Sequence, residues 1–133
     1  MSYNKDMKCK YIVIDDAPFI REIVKANVNP EIGFCVADLG HGEGAVETIR
    51  RTQADLVILD VVLPHQNGLD VAVTIRESYP GLPIIFMSGL EIDFVMDHIK
   101  GFNGVSVLQK PFSRVELNEA VDGLLRIARE DAA

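Results

Sequence analysis

Asp15 and Asp16 stand side by side, Asp60 stands alone, and Ser88 and Lys110 follow; each closes a short run of apolar residues. An acid after such a run is often only a turn former or a helix cap. Four runs that all end in a polar side chain are harder to dismiss, because neighbouring strands would bring those ends together. Two carboxylates ~4 Å apart repel by ~4 kcal/mol at an effective dielectric of about 20. Three are tolerable if a divalent cation sits among them, and all-oxygen ligation favours Mg²⁺ or a similar hard ion that keeps several waters. A lysine opposite supplies a compact mobile charge suited to phosphate, and a serine hydroxyl can donate to a phosphate oxygen. Together these groups describe a site in which a carboxylate accepts a phosphoryl group. Asp60 is the candidate acceptor, and Asp15 and Asp16 are the candidate metal ligands.

The elements that must position them can be read from periodicity. Tyr11–Ile14, Leu56–Leu59, Ile84–Met87 and Val105–Gln109 read as strands, with a weaker one over Gly33–Leu39. Pro18 suits a first helical turn, and Ile20, Ile23, Val24 and Val28 recur at helical spacing before Pro30. Ala45, Val46 and Ile49 mark a short helix. Leu69, Ala72, Val73 and Ile75 form one helical stripe, and Ile92, Val95, Met96 and Ile99 form another. Ser113 and Glu116 have capping-box spacing ahead of a stripe of Leu117, Val121, Leu124 and Ala128. Five strand–helix pairs with strands apolar on both faces predict a doubly wound α/β fold, a five-stranded parallel sheet with helices on both faces. Ligands of such sheets bind at the C-terminal strand ends. The domain is expected over 8–127, with polar tails at 1–7 and 128–133.

Composition narrows the function. Thirteen basic against twenty acidic side chains give a net charge of −7. Such a surface repels phosphate backbones and anionic lipid, so no direct nucleic-acid or membrane contact is expected. No apolar run approaches the ~18 residues of a membrane span, and the first residues lack a signal-peptide stretch. Cys9 and Cys35 fit no disulfide or metal spacing. A cytoplasmic location with free thiols is expected.

The chain resembles the receiver domain of two-component response regulators. The resemblance rests on the "IDD" ending in Asp15-Asp16, the "LDVVLPHQNG" around Asp60 and Gly68, the "MSG" around Ser88 and the "KPF" of Lys110–Phe112. Intervals of 45 residues from Asp15 to Asp60, 28 to Ser88 and 22 to Lys110 also fit. The resemblance implies a flavodoxin-like strand order of 2-1-3-4-5. It implies that Asp60 takes a phosphoryl group from a phosphohistidine of a histidine kinase or histidine phosphotransfer domain. It further implies Mg²⁺ held by Asp16, Asp60 and the Val62 backbone carbonyl, with Asp15 acting through water. Ser88 and Lys110 would bind the phosphoryl oxygens, and the Lys110–Pro111 bond would be cis. The output would be an unidentified protein or domain that reads the face of the fourth helix, fifth strand and fifth helix, with homodimerisation an open question.

Two features depart from the resemblance or qualify it. Val107 stands where the family usually has Tyr or Phe, so an aromatic switch and a plain strand residue are both open readings. Val62 and Leu90, two residues past Asp60 and Ser88, stand at positions that the resemblance implies line the approach to the phosphate; two apolar side chains there would hinder an attacking water, which predicts loss of the phosphoryl group over hours rather than seconds. Phe94 is out of phase with its helix and is expected in solvent as a partner contact or an inert exposed ring. The resemblance implies that the first helix docks the phosphodonor, which makes Phe19 and Ile20 candidate contacts, with core packing favoured for Ile20. His65 reads as a solvated loop residue, and His41 and His98 show no ligand spacing. The expected role is a phosphoacceptor rather than an enzyme. The alternatives are a Mg²⁺-dependent phosphatase with Asp60 as nucleophile, and a phosphorylation-independent scaffold.

Overall fold

Residues 7–132 are described by the computed structural model. The apolar runs become the strands β1 (Cys9–Ile14), β2 (Gly33–Leu39), β3 (Leu56–Asp60), β4 (Ile84–Ser88) and β5 (Val105–Gln109). Between and after them lie the helices α1 (Pro18–Asn27), α2 (Ala45–Thr52), α3 (Gly68–Ser78), α4 (Ile92–His98) and α5 (Arg114–Ala132). All strand pairs in the sheet are parallel, in the order β2-β1-β3-β4-β5. A two-residue hairpin, Val62–Leu63 against Gln66–Asn67, follows β3.

The period-2 alternation of strand side chains sorts the core into two layers. Ile12, Ile14, Val57, Leu59, Ile84 and Phe86 pack on one face with residues of α2, α3 and α4. Tyr11, Val13, Leu56, Ile58, Ile85 and Met87 pack on the other with α1 and α5. The three central strands are buried on both faces, which is why they are continuously apolar. Ser113 and Glu116 form the reciprocal cap at the start of α5, each side chain accepting from the other's N–H at 3.0 and 2.9 Å.

Two helical stripes differ from expectation. In α3 the buried residues are Gly68, Val71, Ala72 and Ile75, while Val73 faces solvent. The helix starts at Gly68, against the Asp60–Val61 backbone, and that start sets its rotation. In α4 only Val95 of the helix is buried, with Ile99 at its C-cap; Ile92 and Met96 are exposed. Seven residues give two turns, enough to seat Val95 and Ile99 one turn apart. Phe94 is exposed as expected, its ring 4.4 Å from that of His98. Phe19 is exposed, and Ile20 packs against the α1–α5 layer. Cys9 and Cys35 are free thiols. The α5 backbone continues to Ala132, past residue 127. Of the expected N-terminal tail, residues 1–6 lie outside the described residues, as does residue 133.

Candidate functional site

Strand registry decides what can meet at the C-terminal edge. Asp60 ends β3 opposite Met87 of β4, Ser88 pairs with Gln109 of β5, and Lys110 follows directly. Asp15 follows Ile14, the last residue of the neighbouring β1, and its N–H donates to Leu39 O of β2 at 3.0 Å. The sheet therefore gathers residues up to 95 positions apart. Asp15, Asp60 and Ser88 are buried there, whereas Asp16 is exposed.

The same local device orients three of these side chains. The N–H two residues ahead donates to the side-chain oxygen: Ala17 N–H to Asp15 Oδ1 at 2.9 Å, Val62 N–H to Asp60 Oδ1 at 3.0 Å, and Leu90 N–H to Ser88 Oγ at 2.9 Å. Each is an Asx- or ST-turn made as the chain leaves its strand. The second oxygens of the two aspartates converge on one cation. Lys110 Nζ donates to Asp15 Oδ2 at 2.7 Å and to Asp60 Oδ2 at 2.9 Å. Lys110 is placed by its own N–H, which donates to Ser88 O at 2.7 Å, and the following Lys110–Pro111 bond is cis.

Two buried carboxylates thus share one ammonium. Burial pushes the Asp60 carboxyl above the usual range, against the Val62 N–H and Lys110 hydrogen bonds, and the Asp15 charge adds to the rise. For Lys110, burial alone would lower the pKa; the hydrogen bonds and charges of Asp15 and Asp60 outweigh it and hold the ammonium above the usual lysine range. Asp15, Asp16 and Asp60 each place a carboxylate oxygen within 4.8 Å of the others. Hard oxygen donors at that spacing, carrying more negative charge than one lysine neutralises, fit a small divalent cation.

The loop after Asp60 is pinned by close contacts. Gly68 N–H donates to Val61 O at 2.7 Å, and a Cβ on Gly68 would lie 2.1 Å from Asp60 O. Gln66 Oε1 accepts from Gly42 N–H at 2.8 Å, tying the hairpin to the β2–α2 loop. His65 is exposed at the hairpin tip with φ of 59°.

Residues 11–122 match the response regulator receiver domain family. The chain belongs to that family. A relative of this receiver domain is the "Probable transcriptional regulatory protein TcrX" of Mycobacterium tuberculosis, 37% identical over 86% of this chain and 49% of its own length. Another is a protein-glutamate methylesterase/protein-glutamine glutaminase of Pyrococcus horikoshii, 32% identical over 94% of this chain and 35% of its own. The chain spans about half or less of the length of these curated relatives. Among solved structures, the REC domain of AraT, a response regulator from Geobacillus stearothermophilus, superposes with a TM-score of 0.82 at 25% identity. That match covers 96% of this chain and all of that one.

Asp15, Asp16, Asp60 and Lys110 are brought together in this receiver, with Ser88 on the adjoining strand end. Val62 lies at the rim with its N–H on Asp60 and its side chain exposed. Val107 sits half-buried opposite Phe86 in the sheet. Two residues at this edge escaped the sequence reading, Gln66 and Arg21. Arg21 Nη1 donates to the Asp15 carbonyl at 2.6 Å. The available signal was a basic residue six positions past Asp15, on the helix that follows the acidic pair.

Proposed function

We propose that this receiver is a phosphorylation-controlled binding module whose acceptor is Asp60. The observation that carries this reading is the Lys110 bridge between two buried carboxylates beside a third. One Asp60 carboxylate oxygen attacks phosphorus, the P–N bond of a donor phosphohistidine breaks, and the imidazole leaves with the electron pair. The result is an aspartyl phosphate. Lys110 is placed to follow the phosphoryl oxygens, and its raised pKa keeps it charged for that task. Ser88 Oγ accepts from Leu90 N–H, which leaves its own proton free to donate to a phosphoryl oxygen. When bound through Asp16, Asp60 and the Val62 carbonyl, with Asp15 reached through water, Mg²⁺ would neutralise the acidic cluster and the charge on the transferring group.

The donor on this reading is a histidine kinase or histidine phosphotransfer domain, and the setting is cytoplasmic. The reader is an output protein or domain, engaged through the surface that includes α4 and its exposed Phe94. A phosphatase would need an acid near the acceptor to protonate the leaving group, and the residue two past Asp60 is Val62. The test is mass spectrometry after acetyl phosphate and Mg²⁺. A gain of ~80 Da, the mass of the one phosphoryl group transferred, is expected in the unsubstituted chain and not in Asp60→Asn. An equal gain in both, or none in either, would refute the assignment. Turnover of a generic phosphate ester would favour the phosphatase.

A further inference from the structure

Arg21 lies in the second turn of α1 with its side chain only 18% exposed. Its Nε is buried without a hydrogen-bond partner. An Asp38 Oδ2 lies 3.7 Å from that Nε, but the same oxygen is already gripped by Lys25 Nζ at 2.7 Å. Burying a guanidinium without a carboxylate of its own is unfavourable. Core filling does not explain the choice, since an aliphatic side chain would pack without that penalty. What the arginine contributes is its 2.6 Å bond to the Asp15 carbonyl.

That bond acts on a specific degree of freedom. Asp15 uses every polar group it has: N–H to Leu39 O, Oδ1 to Ala17 N–H, Oδ2 to Lys110, and its carbonyl to Arg21. The carbonyl is the one among these that lies in the peptide plane leading to Asp16. Asp16 is exposed, so the place of its carboxylate depends on how that plane is held. We propose that Arg21 is a positioning residue of the acidic cluster, fixing the Asp15–Asp16 peptide so that the Asp16 carboxylate faces Asp60. This rests on the Mg²⁺ reading above. Groups that orient metal ligands in this way are typically worth 10–100-fold in metal affinity.

The test has two readouts on the full chain. The first is calorimetric titration with MgCl₂, where Arg21→Gln is expected to bind about tenfold more weakly than the unsubstituted chain. Arg21→Lys, which keeps a charged donor but loses the rigid fork, is expected to give an intermediate loss. Lys25→Gln, which perturbs Asp38 without touching the Asp15 carbonyl, is expected to retain full affinity. The second readout needs no metal: amide exchange at Ala17, the donor to Asp15 Oδ1, is expected to quicken severalfold in Arg21→Gln and less in Arg21→Lys. Should Arg21→Gln fail to fold, Arg21→Lys carries both measurements. Unchanged affinity and unchanged exchange overturn the proposal, as does an equal loss in Lys25→Gln. An unsubstituted chain that binds no Mg²⁺ sinks the magnesium reading, while Ala17 exchange still judges Arg21.

Discussion

Replacing Asp60 by Asn is expected to stabilise the metal-free protein. The Asp60 carboxylate is attracted to Lys110 at 2.9 Å by about 6 kcal/mol at an effective dielectric of ~20. It is repelled by Asp15, within 4.8 Å, by at least about 3.5 kcal/mol at the same dielectric, and by exposed Asp16 by ~1 kcal/mol in water. These terms nearly cancel. What remains is the burial penalty of a carboxylate, several kcal/mol even after relaxation, offset in part by the Val62 N–H bond. The upward displacement of the Asp60 pKa says that the penalty wins. Asparagine keeps an oxygen for the Val62 N–H; its amide NH₂, a donor, then faces Lys110 where Oδ2 accepted, so the ammonium must turn to Asp15 alone. The expected gain is on the order of 1–2 kcal/mol, or roughly 3–10 °C in melting midpoint for a chain of this size. Because the folded-state pKa is raised, the folded protein binds more protons than the unfolded chain between the two pKa values, so stability falls as pH rises through that window. The advantage of Asp60→Asn is therefore full above the raised folded-state pKa and fades as pH falls through it towards the unfolded value of ~4. On the magnesium reading, saturating Mg²⁺ is expected to close or reverse the gap: at a hundredfold excess over Kd it would add about 2.7 kcal/mol to the wild type, and little to a variant that has lost one of the three carboxylates. Thermal melts followed by circular dichroism, with and without Mg²⁺, measure all of this. A lower midpoint for Asp60→Asn at pH 7 without metal would show that the Lys110 pair outweighs burial and would refute the reasoning.

Two further perturbations probe the acceptor loop. Gly68→Ala puts a Cβ 2.1 Å from Asp60 O and 2.8 Å from Val61 Cα, backbone atoms that cannot swing away; a loss at or beyond the upper end of the usual 1–3 kcal/mol for overpacking is expected in chemical denaturation, and a variant within 0.5 kcal/mol of wild type would show that the turn yields. Exchanging Val62 and Leu90 together for asparagine lowers the apolar rim over the site. Loss of the phosphoryl group from the purified aspartyl phosphate should then quicken by on the order of tenfold, equivalent to about 1.4 kcal/mol of barrier. Unchanged decay by Phos-tag electrophoresis would remove both side chains from control of water access.

The fold was legible because its three central strands are buried on both faces. Continuous runs such as Leu56–Leu59 and Ile84–Met87 have few other uses, and the order β2-β1-β3-β4-β5 came with the resemblance. Helix faces were less legible where helices are short or their start is fixed from outside. Val73 and Met96 sit one position off the buried stripe because Gly68 and a two-turn α4 set the rotation, and neither effect is local in sequence. The same distinction holds at the site. Asp15, Asp60, Ser88 and Lys110 announce themselves by ending apolar runs. Arg21 and Gln66 act on main-chain atoms, the Asp15 carbonyl and the Gly42 N–H; a basic residue six positions past Asp15 is a signal for the first, but it does not say which main-chain atom is met.

The turn that aims each reactive side chain also decides what surrounds it. For Asp15, Asp60 and Ser88 the orienting N–H belongs to the residue two ahead: Ala17, Val62 and Leu90. An amide that reaches back to an oxygen carries its own side chain out at the rim of the same site. Val62 and Leu90 are accordingly 57% and 40% exposed, although both are apolar. Their backbones supply orientation to the oxygens, a task any non-proline residue can perform, and their side chains remain free to vary without disturbing it. On the proposed reading, placement of a phosphoryl group and access of water to it would in this way be assigned to different atoms of the same two residues. On that reading the lifetime of the modified state would be set at Val62 and Leu90 while the geometry that forms it, held by Lys110 and the strand ends, stays fixed.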